Sequence, residues 1–324
     1  MTIFLGLLLA VLAFASFAIG PAALPVDQLL SAWWRADGSP EALIAWQIRL
    51  PRALLGAAVG MVLGLAGANL QGYMRNPLAE PSLIGASSSA ALGAVLVIYF
   101  GVSAAWAPAL PIAGMTGALV AIFVVQALAG QGANVLTLIL AGVAINTLAG
   151  AMTALALNLA PNPHAVVEIT FWLLGSLTDR SLDQVLIAAP FMAAGAALLL
   201  LNGRGLDALG LGERTAASLG VDLRWLRWRV IVGTGLAVGA AVSVAGSIGF
   251  IGLVVPHLLR PLLGHMPGRL LLPSAFAGGA LLLTADIAVR WIPTNVELKL
   301  GVLTGLIGAP FFLVLLLKTR ANLR

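Results

Sequence analysis

Long apolar stretches alternate along the chain with short interruptions by charge, proline or glycine. Ten stretches stand out: Ile3 to Ile19, Ala53 to Tyr73, Leu83 to Phe100, Ala109 to Ala129, Val135 to Leu159, Val185 to Leu201, Val230 to Ala245, Phe250 to Leu263, Leu270 to Val289 and Leu300 to Leu317. A hydrocarbon core about 30 Å thick takes roughly 20 apolar residues per helical crossing. The pattern therefore predicts an all-α integral membrane protein of about ten transmembrane helices in a single domain, residues 1–324. The eighth stretch is short for a crossing, and its Gly252 and Pro256 predict a broken or tilted helix. The first is long and has no Lys or Arg ahead of it, which predicts a retained helix rather than a cleaved signal segment.

Two interruptions are too long for simple turns, 202–229 and 161–183. In the first, Glu213 to Leu219 reads as a short helix closed by Gly220 in a left-handed cap, with Asp222 placed to cap the helix that follows. Such a helix is either a handle for a partner protein or an amphipathic connector resting on membrane lipid. In the second, Ile169 to Leu177 predicts a short surface helix. Gly56, Gly60 and Gly64 recur at small-xxx-small spacing, which lets helix backbones approach closely in lipid.

Composition sharpens this picture. Apolar residues make up 60% of the chain and charged residues 9%, against about 25% charged in soluble proteins. Eleven of the seventeen Lys and Arg residues fall in alternate loops that share one side, from Arg75 through 202–229 to Arg324. The positive-inside rule makes that side cytoplasmic, with both termini inside and 161–183 outside. The formal charge of +5 is scattered singly, which is not the solvated stripe that nucleic acid requires.

Several chemistries are missing from the sequence. A phosphate-binding loop needs Lys after a glycine-rich turn, yet Lys299 and Lys318 both follow leucine. No HExxH, serine elbow or carboxylate pair points to an enzyme, and no catalytic residue is assigned. Cysteine is absent, and His164, His257 and His265 lie in different segments, so no metal site is expected. Ionisable groups inside the membrane would mark a gradient-driven transporter. Asp286 and His257 are the candidates, and Asp286 with Arg290 at i,i+4 predicts a local ion pair.

Five ordered blocks carry a more specific signal. They are Arg49-Leu50-Pro51-Arg52, Gly72 through Arg75-Asn76-Pro77-Leu78-Ala79-Glu80-Pro81, Leu211-Gly212-Glu213 to Leu219-Gly220-Val221, Gly249-Phe250-Ile251-Gly252 to Pro256-His257, and Gly301-Val302-Leu303-Thr304 to Gly308-Ala309-Pro310-Phe311-Phe312. In these blocks the chain resembles, over nearly its whole length, the FecCD-type permease subunits of type II ATP-binding-cassette (ABC) importers for iron-siderophore, haem and cobalamin.

The resemblance implies a ten-helix inner-membrane permease that moves an iron chelate, or alternatively haem or cobalamin. It implies separate ATPase subunits that hold ATP and Mg, a second permease (a copy or a paralogue), a periplasmic substrate-binding protein, and no cofactor on this chain. By the same resemblance, Arg49, Arg52 and Arg290 contact acidic side chains of the binding protein. Glu213, Arg214, Ala217, Leu219, Gly220 and Val221 form the helix that couples to the ATPase. Asn76 and Leu78 lie at the cytoplasmic end of the path, and Gln131 and Asn134 at its inner gate. Two plainer readings stay open: Arg49 and Arg52 as headgroup anchors, and Asn76 as a cap for the third helix. One departure is Thr294-Asn295-Val296-Glu297-Leu298-Lys299, where many relatives show a simpler Glu-Leu-Pro.

Overall fold

The computed structural model describes residues 1–20, 24–35, 38–106, 108–130, 135–292 and 297–321. The helices run in the order α1 Thr2–Ala18, α2 Val26–Arg35, α3 Pro40–Leu43, α4 Leu50–Tyr73, α5 Ala86–Tyr99, α6 Val102–Ala105, α7 Ala109–Ala129 and α8 Val135–Asn158. They continue as α9 Pro163–Leu173, α10 Leu182–Leu200, α11 Gly203–Leu209, α12 Glu213–Ser218, α13 Leu223–Ala245, α14 Ile251–Leu263, α15 Pro267–Trp291 and α16 Leu300–Ala321. Each predicted apolar stretch coincides with a helix. Among the described residues six are long and apolar enough to cross a membrane: the run that ends in α4, then α7, α8, α10, α13 and α15. The shorter apolar helices are α1, α5, α14 and the 300–315 part of α16.

Helices are the only elements among the described residues, as lipid requires when each segment must satisfy its own backbone. Between α3 and α4 the chain widens into a π-helical turn, Ile44–Arg49. Pro51, in the first turn of α4, has no N–H to donate and its ring excludes the carbonyl one turn back. The wider turn absorbs that defect without ending the helix.

Helix α4 is the axis of the bundle and is buried along most of its length. Lipid tails are as apolar as leucine, so helices associate in a membrane through close packing and hydrogen bonds rather than through water exclusion. The glycines of α4 supply that closeness. A Cβ at Gly60 would lie 2.4 Å from the Gly278 carbonyl oxygen, and one at Gly64 would lie 2.1 Å from that of Ser274, so α15 sits backbone to backbone against α4. At Gly67 the Gly252 oxygen of α14 would be 1.9 Å away. The sequence expectation of helix packing for the Gly56, Gly60 and Gly64 series is what the structure shows.

The break suggested within the eighth stretch is absent, since α14 runs unbroken through Gly252 and Pro256; the interruption lies ahead of it. Helix α13 ends at Ala245, Gly246 turns with φ +72°, and Phe250 takes φ +68° before α14 begins. The backbone released by this interruption is absorbed by neighbours: the Ser176 N–H donates to Ala245 O at 2.8 Å, and the Phe250 ring lies against Gly308 of α16. Irregular backbone at this depth is tolerated because protein surrounds it.

The short helix expected at 169–177 starts earlier than the sequence suggested, at Pro163, and ends at Leu173. Asn162 caps it by accepting from the Ala165 N–H at 2.8 Å, and Pro163 fits the first helical turn, where its missing N–H costs nothing. Gly175, at φ +72°, prevents its continuation to Leu177.

Candidate functional site

At one end of the bundle, α11 and α12 form the insert between α10 and α13. Leu206 and Leu209 of α11 and Leu226 of α13 are fully buried and seat the insert against the helices. Helix α12 projects from this base. Only Ala216 turns inward, while Glu213, Arg214, Ala217, Leu219 and Gly220 are exposed.

Two exposed leucines, Leu211 at 69% and Leu219 at 63%, flank the helix. Its termination is tightly specified. The Val221 N–H donates to Ala216 O and the Gly220 N–H to Ala217 O, both at 3.0 Å, with Gly220 at φ +83°. This is the paired bonding of a Schellman cap. The Asp222 carboxylate then accepts from the N–H groups of Arg224 (2.9 Å) and Trp225 (3.1 Å) to start α13. The element is thus short, rigid, exposed and apolar at both edges.

Beside it, the turn after α4 holds Arg75 at φ +49°, a left-handed position usually given to glycine. The Asn76 N–H reaches back to Gln71 O at 3.1 Å, and its side chain accepts from the Leu78 N–H at 2.9 Å. Asn76 therefore shapes the turn itself. Helix α5 begins only after the 3-10 turn Pro81–Ile84, so capping of that helix by Asn76 is excluded. Gln131 and Asn134 lie outside the described residues.

At the opposite end, the structure assembles a charge network of which the sequence revealed one edge. Asp286 is 1% exposed. It accepts from Arg52 Nε at 3.0 Å and Nη2 at 2.8 Å, and from Arg290 Nη2. Arg52 also donates to Glu297, whose other oxygen accepts from the Thr178 hydroxyl at 3.0 Å. Arg290 donates to the Ser16 carbonyl and hydroxyl, both at 2.8 Å, and Arg49 donates to Phe17 O at 3.2 Å and to Ala18 O. These bonds tie the ends of α1, α4 and α15 to the 297–299 segment.

The expected Asp286–Arg290 pair is there, but Arg52 and Glu297 complete it. All three arginines that the resemblance placed toward a binding protein turn inward, Arg49 at 4% and Arg52 at 8% exposure. The signal available in the sequence was the placing of Arg52 and Asp286 at the same end of two apolar helices.

Burial alone would raise the Glu297 carboxyl, but donation from Arg52, the Arg52 charge, the Thr178 hydroxyl and the charge of Lys299 outweigh it and hold the group below its usual range. The Lys299 ammonium lies 5.3 Å from the centre of the Phe171 ring of α9. Of the departure noted at 294–299, Thr294, Asn295 and Val296 lie outside the described residues. His257 packs edge-on against Phe311, centroids 5.8 Å apart, so it joins α14 to α16. Among the described residues no group of three or more His, Asp or Glu side chains gathers as metal ligands.

Apolar helices packed through glycine, with a polar knot at one end and an exposed capped helix at the other, define a multi-pass membrane protein. The FecCD transport family model matches residues 8–318, and the chain belongs to that family. It is 42% identical over 290 residues to the cobalamin import system permease protein BtuC of Halobacterium salinarum, covering 86% of this chain and 75% of that one. It is 39% identical over 328 residues to the hemin transport system permease protein HmuU of Yersinia pestis, covering 98% and 95%. A solved structure described as an inward-facing conformation of a metal-chelate type ABC transporter superposes with a TM-score of 0.84 at 33% identity, covering 98% of both chains. The protein is an ABC-type permease of the inner membrane.

Proposed function

We propose that this chain is the membrane subunit of an ATP-driven importer that crosses the membrane ten times with both termini in the cytoplasm. Its cargo is an iron chelate. Haem or cobalamin is the second reading, favoured by the hemin and cobalamin permeases to which the chain is similar. ATP and Mg belong to separate ATPase subunits, and a second permease, identical or paralogous, completes the passage. Asn76, Leu78, Gln131 and Asn134 border its inner end.

The observation that carries this reading is α12. A six-residue helix capped at its C-terminal end, presenting exposed leucines, suits docking into an ATPase cleft. When the nucleotide-bound ATPases close, a rigid element passes the displacement to α11 and α13 instead of absorbing it, a rocking or shear transition. Glu213, Arg214, Ala217, Leu219, Gly220 and Val221 form the contact.

On the outer face a periplasmic binding protein docks at the rim near Arg49, Arg52 and Arg290. Because their donors are engaged with Asp286, Glu297 and the end of α1, their part is to hold that rim in shape.

The test uses the complex reconstituted in proteoliposomes with its ATPase and binding protein. Ala217→Arg places a long cation in the proposed contact, on an exposed position that the fold does not need. Import should fall at least tenfold while hydrolysis loses its stimulation by the binding protein. Full-rate import by this variant, or import by the purified permease without any ATPase, overturns the proposal.

A further inference from the structure

Beneath the turn after α4 lies a cavity of about 240 Å³, bounded by the ends of α4 and α14, the start of α15 and Gly210 of the segment that leads to α12. Its walls carry Arg75, Arg260 and His265, and among the described residues no carboxylate lines it. The acid of neighbouring α11, Asp207, is engaged with the Gly268 N–H at 2.7 Å.

Gln71 makes this a built site. Its side chain is buried at 2% exposure, and its amide nitrogen donates to Gly252 O and Leu253 O, both at 3.2 Å. Those two carbonyls fix the amide orientation, so Oε1 is left to accept from Arg260 Nη2 at 2.7 Å. One edge of the guanidinium is held by a neutral oxygen, and its charge has no ion-pair partner among the described residues. Arg75 enters from a left-handed backbone position that costs on the order of 1 kcal/mol and persists only where the surroundings enforce it.

Cationic side chains from three segments, the turn after α4, α14 and the loop that leads to α15, thus line one cavity whose remaining walls are largely apolar. Forked guanidinium groups match oxyanions that carry several acceptor oxygens. We propose that this cavity binds a phosphate-type oxyanion, supplied either as free phosphate or as the phosphate of an anionic lipid headgroup. Bound there, the anion links the Asn76 turn to α14, α15 and the base of the α12 insert. The inference does not depend on the cargo or on the ATPase.

The test measures binding to the purified full chain. Radiolabelled inorganic phosphate is titrated by equilibrium dialysis in neutral detergent. Lipid retention is read by native mass spectrometry after extraction from phosphatidylcholine vesicles with and without phosphatidylglycerol. The variants are Arg260→Gln and the double variant Arg75→Gln/His265→Gln, whose two positions are exposed and so leave folding intact. Saturable phosphate binding, weakened at least tenfold in the double variant and lost in Arg260→Gln, identifies free phosphate as the source. Retention of phosphatidylglycerol by the wild-type chain, lost in the variants, identifies the headgroup. The inference is overturned if neither probe binds, or if both bind the double variant as tightly as the wild type. Should Arg260→Gln fail to fold, the double variant decides.

Discussion

Removing the Asp286 carboxylate is the sharpest perturbation the structure offers. The group is 1% exposed and is shared by Arg52 and Arg290, whose side chains are 10% and 6% exposed. Asp286→Ala leaves two buried guanidiniums facing each other. Arg52 keeps Glu297, and Arg290 keeps the oxygens of Ser16, so neither is stripped of every partner. Breaking a buried pair by deleting one partner costs about 3–5 kcal/mol, because an uncompensated charge stays out of water.

For chains of 150–250 residues each kcal/mol moves Tm by about 2–4 °C, and longer chains move less. Taking the lower figure, the variant should melt roughly 6–10 °C below wild type when Tm is followed by tryptophan fluorescence in mild detergent. Adding Arg290→Ala to Asp286→Ala should recover part of that loss, since the second change removes one of the stranded charges. A Tm for Asp286→Ala within about 1 °C of wild type, or a strictly additive double variant, would refute the reasoning.

Other expectations follow from single observations. Gly64→Val should prevent α4 and α15 from closing and sharply reduce folded yield. Gly150→Ala in α8, where an added Cβ meets nothing within 4 Å, should be neutral or gain about 0.5–1 kcal/mol of stability, and size-exclusion profiles in detergent compare the two. Glu297 is held below its ordinary value of 4.5, so its contribution is complete above that pH and is lost as pH falls through the lower folded value. The Tm difference between wild type and Glu297→Gln should accordingly stay constant from neutral pH to 4.5 and shrink below it. Gly220→Ala forces a Cβ into φ +83°, costing about 1 kcal/mol, and should raise hydrogen exchange in α12 while leaving α4 and α15 protected.

Much of this architecture is written in local sequence. Apolar runs become helices because lipid leaves the backbone no other partner, and each of the ten runs coincides with a helix, six of them among the described residues long and apolar enough to cross a membrane. The cap at Gly220 and the start of α13 at Asp222 were readable because their bonds span a few residues. Even locally some signals were missed: α9 is placed by Asn162 and Pro163, and apolar content alone shifted its expected position toward Leu177.

What only the tertiary structure decided is which helix faces meet. All the helices are greasy, so hydrophobicity does not rank their pairings, and the choice falls to small residues that match across a seam and to polar groups that find each other over long separations. Arg52 and Asp286 stand 234 residues apart, and Gln71 and Arg260 stand 189 apart. Nothing in the local pattern of either member points to the other. Their partnership arises when α4 packs against α15 and α14, and it turns three arginines expected at the surface into the knot that closes one end of the bundle.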